Sequence, residues 1–410
     1  MPEDIVQRQL NRSLSLPLLV MYGLGTTVGA GIYVLIGKIA EKAGFYLPVS
    51  FLLASFVVAF TALSYAELAS RYPLSAGEAV YVQEGFHIRT LSILVGLLVV
   101  LAGIVSTATL AKGFAGYLDL FIQLPNWLSI VLVISMLAAI AVWGILESVT
   151  VAAIFTLLEI GGLLLIIWVA RDSLQESIFL VPQMLPPLKL EIWGGIFLGS
   201  FLAFYAYIGF EDMVNVAEEV KNPQRNFPLA VALVLIVTTT LYIAIALIAV
   251  TLSSSSELAK SEAPLALLYT KATGEKAVLL GVLSICAIIN GALIQIIMAS
   301  RILYGMSNRR WLPKVLAKVN SVTHTPIIAT VTLGIAIIVM ALFFPLATLA
   351  SATSTIVLVI FVLVNISLIR IKLMAPEIAG TYSYPIWVPV LGFISSSVFI
   401  VCRILFMDRS

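Results

Sequence analysis

Apolar runs of about 20 residues are long enough to cross a bilayer's hydrocarbon core as helices, and they recur eleven times along this chain. They lie at roughly 16–36, 46–70, 91–118, 127–146, 149–170, 192–219, 228–252, 276–306, 327–344, 347–371 and 385–406. The alternating pattern that a membrane barrel needs is absent from them. Only 11% of the residues are charged and 61% are hydrophobic, whereas a soluble domain carries about 25% charged residues. The pattern predicts an all-α polytopic membrane protein of about eleven transmembrane helices, forming a single domain over residues 1–410.

Lysine and arginine placement sets the expected orientation. With the N-terminus inside, the cytoplasmic segments hold Arg8, Arg12, Arg71, Arg89, Lys221, Arg225, Arg301, Arg309, Arg310, Lys314, Lys318, Arg370 and Lys372, thirteen of 23 basic residues. The Ser253–Ser256 loop and the Pro182–Pro187 linker then face outside, as does the C-terminus. No small-residue cleavage site follows the first run, so a cleaved signal peptide is not expected. The expected location is the cytoplasmic membrane, with the bilayer as partner.

Several function classes lack their chemistry. No basic run alternates with aromatics, so nucleic acid is not an expected partner. Cys286 and Cys402 suggest no disulfide framework or metal spacing, and His87 and His324 are isolated. No loop is long enough for a receptor's soluble domain. The spans offer scattered polar groups and no continuous polar pore lining.

The first run contains Gly23, Gly25, Gly29 and Gly31. Each glycine costs about 1 kcal/mol relative to alanine inside a helix, and in hydrocarbon every freed amide must find a partner. A broken helix that meets protein or ligand accounts for them; close helix packing is the alternative. A second irregular stretch, Phe204-Tyr205-Ala206-Tyr207-Ile208-Gly209-Phe210-Glu211-Asp212, falls five runs later. Paired interruptions in equivalent positions point to an inverted repeat with a ligand site between its halves.

Five motifs in order carry a resemblance. Gly29-Ala30-Gly31-Ile32-Tyr33 resembles the first-helix glycine signature of amino acid permeases of the APC superfamily. Tyr65–Pro73 with Ser75–Val82, Phe204–Glu211, Glu218–Pro228 and Ala299–Met306 resemble that family's later signatures, over about the first 310 residues. The resemblance implies a LeuT-type 5+5 inverted repeat (16–170 and 192–371, with 385–406 as an added helix). It also implies secondary transport of amino acids by alternating access, without enzymatic chemistry. The chain departs from the family in two ways: it has eleven runs where members usually have twelve, and Thr156-Leu157-Leu158-Glu159 stands where some proton-coupled members have Thr-x-x-Lys.

Amides at Gly29, Ala30 and Gly31, at the start of a half-helix, favour a carboxylate. Carbonyls at Thr26, Tyr205 and Ala206 face the amine, and Gly209 supplies the second break. By resemblance Phe210 covers the substrate; the alternative is a ring facing lipid. A charge at the centre of a span costs about 3 kcal/mol, so Glu159 is expected to be a protonatable coupling residue, with a sodium ligand or a neutral interhelical contact as alternatives. Glu211 and Asp212 either stabilise a helix start or act as coupling residues for a proton or ion, meet the substrate's ammonium or a cationic side chain, or form a gate pair. Asn290, Gln295 and Asn365 read as interhelical contacts or pocket liners. No cofactor is expected beyond H+ or Na+ as coupling ion. The closest rivals are a polyamine or amine transporter and an amino acid exchanger of the same fold.

Overall fold

The computed structural model describes residues 14–73, 77–143, 149–308, 310–320, 323, 325–374 and 382–407. Arg8, Arg12, Ser75, Ala76, Arg309 and His324 lie outside these described residues. Sixteen α-helices form among them. The first run is divided into α1 (Leu16–Thr27) and α2 (Ala30–Ala43), and a 3₁₀ turn then leads into α3 (Leu47–Arg71). After these come α4 (Gly77–Phe86), α5 (Arg89–Leu118), α6 (Asn126–Trp143), α7 (Val149–Val169) and α8 (Arg171–Leu180). The sixth run is α9 (Leu190–Tyr207) followed by a 3₁₀ segment, Phe210–Glu219. The remaining helices are α10 (Pro223–Leu252), α11 (Ser255–Lys260), α12 (Pro264–Thr273), α13 (Val278–Asn308), α14 (Ile327–Phe343), α15 (Leu346–Met374) and α16 (Trp387–Met407).

Among the described residues, eight helical stretches are long and apolar enough to cross a membrane, or nine if α7 and α8, bent by 72°, count as one span. Two of the eleven apolar runs fall short of that length for local reasons. The first is cut at Val28–Gly29, leaving α1 with 12 residues. The ninth gives a helix of 17 residues, which Pro326 precedes and Pro345 follows.

The hairpin between α10 and α13 is more ordered than its polar sequence suggests. Ser254 caps α11: its hydroxyl accepts from the Glu257 amide, and the Glu257 side chain returns to the Ser254 amide. Exposed Glu257 also pairs with Lys271 of α12 at 2.5 Å, and these donors lower its carboxyl to about 2.

Burial follows membrane logic. Phe56, Trp143, Trp168, Phe343 and Leu405 point outward, Trp143 with 70% of its surface exposed. Lipid tails accept such side chains without penalty. The interior holds six fully buried tyrosines, Tyr33, Tyr65, Tyr81, Tyr117, Tyr207 and Tyr242. The two interrupted elements sit at the centre. α2 packs on α9, and α1 packs on α7 and α10.

Candidate functional site

The breaks in the two central elements meet. α1 ends at Thr27, and Gly29 adopts φ −40°, ψ −145° before α2 begins at Ala30. Among the described residues no side chain caps this helix start, and a helix's first amides have no intrahelical partner. In the second element, Gly209 has φ +128°, a region that strongly favours glycine. The Thr26 carbonyl lies against Gly209, where an added Cβ would come within 2.5 Å of the carbonyl carbon. A Cβ on Gly31 would come within 2.7 Å of Ala206 Cα. Two glycines therefore let the two broken backbones touch.

Tyr242 of α10 joins them chemically. Its hydroxyl lies 2.9 Å from the Thr27 carbonyl and 2.8 Å from the Ala206 carbonyl. One proton serves two acceptors left over from the ends of α1 and α9. Sequence reasoning missed this residue because its partners are 215 and 36 positions away.

The predicted site residues fall into three groups: the backbone crossing, the cavity beside the second break, and Glu159. Thr26, Gly31, Ala206 and Gly209 build the backbone crossing, and Gly29 and Tyr205 are their neighbours in the chain. The Thr26 hydroxyl donates within its own helix to Tyr22 or Gly23, and the Tyr205 hydroxyl bonds Ser106 of α5 at 2.9 Å. The Tyr205 carbonyl accepts from the Ile208 amide. Ala30 opens α2. Phe210 is buried between Tyr65 (5.7 Å between ring centroids) and Phe361 (5.5 Å); it does not face lipid.

A cavity adjoins the second break. Ile208, Glu211, Asp212, Tyr65, Phe361, Glu78, Ser106 and Gln295 contribute to its lining. The backbone crossing at Thr26 and Gly29–Gly31 lies outside that lining. Glu211 Oε2 accepts from the Gly209 amide at 2.8 Å, so this acid does secure the start of the 3₁₀ segment. Asp212 Oδ2 accepts from Gln295 of α13 at 3.2 Å. Glu78 was not among the sequence candidates. It lies on α4, between the second and third apolar runs, and accepts from the Tyr65 hydroxyl at 3.3 Å.

Burial pushes the Glu78 carboxyl up to about 7, with the Tyr65 hydrogen bond opposing the rise. Tyr65, Tyr81, Glu211 and Asp212 are the titratable groups around it. A raised folded-state value on an acid gives a penalty that is absent below about 4.5 and complete above about 7. It amounts to about 3 kcal/mol. Stability should therefore fall between about pH 4.5 and 7, and Glu78→Gln should flatten that slope in a thermal-melt series across pH. A variant that keeps the wild-type slope would assign the pH dependence to another group.

Glu159 of α7 is fully buried. Its Oε1 accepts from Asn290 of α13 at 2.8 Å. Its Oε2 has no hydrogen-bond partner among the described residues. Its backbone carbonyl accepts from the Tyr33 hydroxyl of α2. One turn earlier, Thr156 donates to the Met21 carbonyl of α1 at 3.2 Å. The residue thus sits where the interrupted first element meets α7 and α13.

Two interrupted helices abutting inside an all-helical apolar bundle have the build of a membrane transporter. Residues 14–409 match the model of the amino acid permease family, and the chain belongs to that family. It is 30% identical over 396 residues to a vacuolar cationic amino acid transporter 2 of Arabidopsis thaliana, covering 90% of this chain and 61% of that protein. It is 28% identical over 409 residues to the branched-chain amino acid permease BcaP of Bacillus subtilis, covering 94% and 86%. It is 29% identical over 416 residues to a methylthioribose transporter of the same bacterium, covering 95% and 87%. The chain spans about three-fifths of the length of the Arabidopsis transporters it matches. These relatives are transporters and not enzymes.

Proposed function

We propose that this protein is a secondary transporter moving amino acids across the cytoplasmic membrane by alternating access, with a cytoplasmic N-terminus. In this reading the eleven apolar runs are eleven spans, and the first ten form two inverted five-helix repeats. The observation that carries it is the contact of the two breaks through Gly31–Ala206 and Gly209–Thr26. The uncapped start of α2 at Ala30 and Gly31 supplies amides for the α-carboxylate. The Thr26 carbonyl lies beside the second break to receive the amine, and Phe210 closes over the bound molecule. Glu159 is the coupling group, exchanging a proton as α2, α7 and α13 shift.

One observation favours a narrower second reading. Glu78, Glu211 and Asp212 line the cavity, and among the described residues its lining contains no lysine, arginine or histidine. That electrostatic setting suits a cationic side chain, or an amine without a carboxylate. Among the relatives, the cationic amino acid transporters support the former. Uptake of labelled lysine, arginine, leucine and putrescine into proteoliposomes tests both readings. We expect lysine or arginine uptake, with Asp212→Asn raising the lysine KM about tenfold. Leucine uptake with no uptake of lysine or arginine would keep the permease reading and remove the cationic one. Uptake of putrescine alone would remove the carboxylate site at α2.

A further inference from the structure

A second buried polar cluster lies away from the breaks, between α3, α15 and α16. Its centre is Glu67 of α3, fully buried. Arg71 Nε donates to Glu67 Oε1 at 2.9 Å, and Arg71 Nη2 lies 2.7 Å from the same oxygen. Lys372, near the end of α15, donates to Oε1 at 2.5 Å. From the stretch preceding α16, the Ser383 hydroxyl reaches Oε1 at 3.2 Å and the Tyr384 amide reaches Oε2 at 2.9 Å. Lys372 also bonds Ser383 at 2.9 Å.

A second tier lies further along the same helices. Asn365 of α15 accepts from Ser64 at 2.7 Å and donates to Thr61 at 2.9 Å, both on α3. Gly392 of α16 packs so closely on Asn365 that a Cβ there would meet its side chain. Thr61, Ser64 and Glu67 follow one another at three-residue spacing, so they line one stripe of α3.

The 3₁₀ segment meets this body through rings: Phe210 rests on Tyr65 of α3 and Phe361 of α15. Ring contacts exchange partners with little loss. A buried carboxylate with several donors cannot give them up without stranding charges in a dry interface.

We propose that α3, α15 and α16 move as one body throughout the transport cycle, locked by the Glu67 and Asn365 tiers. The route to the cytoplasm then opens by the 3₁₀ segment, through Phe210, sliding over the ring wall of Tyr65 and Phe361. This division of moving parts rests on the transporter reading above.

Two measurements on the full-length protein in proteoliposomes test it. Phe60 of α3 and Trp387 of α16 lie 6.3 Å apart between ring centroids. A Phe60→Cys/Trp387→Cys pair, with Cys286 and Cys402 replaced by alanine, is joined by a bifunctional methanethiosulfonate. We expect uptake by the cross-linked protein within twofold of the same protein after reduction. A tenfold loss restored by dithiothreitol overturns the proposal. The second readout does not depend on transport. Tyr384 lies outside any helix, so protection of its amide must come from Glu67. We expect hydrogen exchange at least 100-fold slower than for an unstructured amide, unchanged by substrate. Fast exchange, or exchange that accelerates with substrate, overturns the lock. A reduced protein that takes up no amino acid would count against the transporter reading, leaving exchange to decide the lock.

Discussion

Gly209→Ala abolishes uptake, with a loss of at least 100-fold per folded molecule or no folded molecule to measure. Two costs combine. The backbone at φ +128° is a region that L side chains rarely adopt, and holding one there costs about 1–3 kcal/mol. The new Cβ also runs into the Thr26 carbonyl group. That obstacle is backbone at the end of a helix, so it cannot rotate away as a flexible side chain does. Relief requires α1 and the 3₁₀ segment to separate, which moves the surfaces proposed to hold the substrate. Together the effects are about 3 kcal/mol or more, and each 1.4 kcal/mol is a factor of ten. Gly274→Ala is the control. It also has positive φ, +74°, but no described atom lies within 4 Å of its Cβ position. It should lose about 1 kcal/mol and keep its uptake. Size-exclusion profiles beside initial uptake rates separate misfolding from inactivity. Uptake by Gly209→Ala within twofold of wild type would show that the contact between the breaks is dispensable.

The legible parts of the fold and site were those with a local cost. Glycine is expensive inside a membrane helix, so Gly29, Gly31 and Gly209 mark the breaks in the bare sequence. Glu159 stands out because a carboxyl is rare in an apolar run. Tyr242 and Glu67 give no comparable signal. A tyrosine in a span is ordinary, and what sets Tyr242 apart is its partners Thr27 and Ala206 on two other elements. Glu67 stands within a family-like motif and four residues from Arg71, which reads as a local helical pair. Lys372 and Tyr384, over 300 positions away, turn it into an interhelical node. The mixed charge of the short helices α11 and α12 reads as loop, although Ser254-Ser255-Ser256-Glu257 carries the capping-box pattern that could have marked the first of them. Glu78 is hidden for another reason: only the fold brings α4 beside Glu211 and Asp212.

Glu159→Gln should separate transport from stability. Glutamine keeps the length of the side chain and an oxygen for Asn290, which now bonds Oε1 at 2.8 Å. The Tyr33 bond goes to the backbone carbonyl and survives the change. The melting temperature should therefore stay within a few degrees of wild type. What the amide cannot do is gain or lose a proton. The second carboxyl oxygen is buried without a partner among the described residues, and a buried polar atom left unpaired costs about 1–3 kcal/mol. Such an atom is readily explained where a group changes its state during function. If Glu159 couples proton movement to substrate, the variant loses accumulation against a gradient at least tenfold, and its residual exchange no longer responds to pH. Sodium coupling predicts a different result: loss of sodium stimulation with the pH profile unchanged. A purely structural carboxyl predicts a third, full uptake with the wild-type pH profile, because the Asn290 bond alone would suffice. Counterflow and gradient-driven uptake measured on one preparation between about pH 5.5 and 8, with and without sodium, distinguish the three.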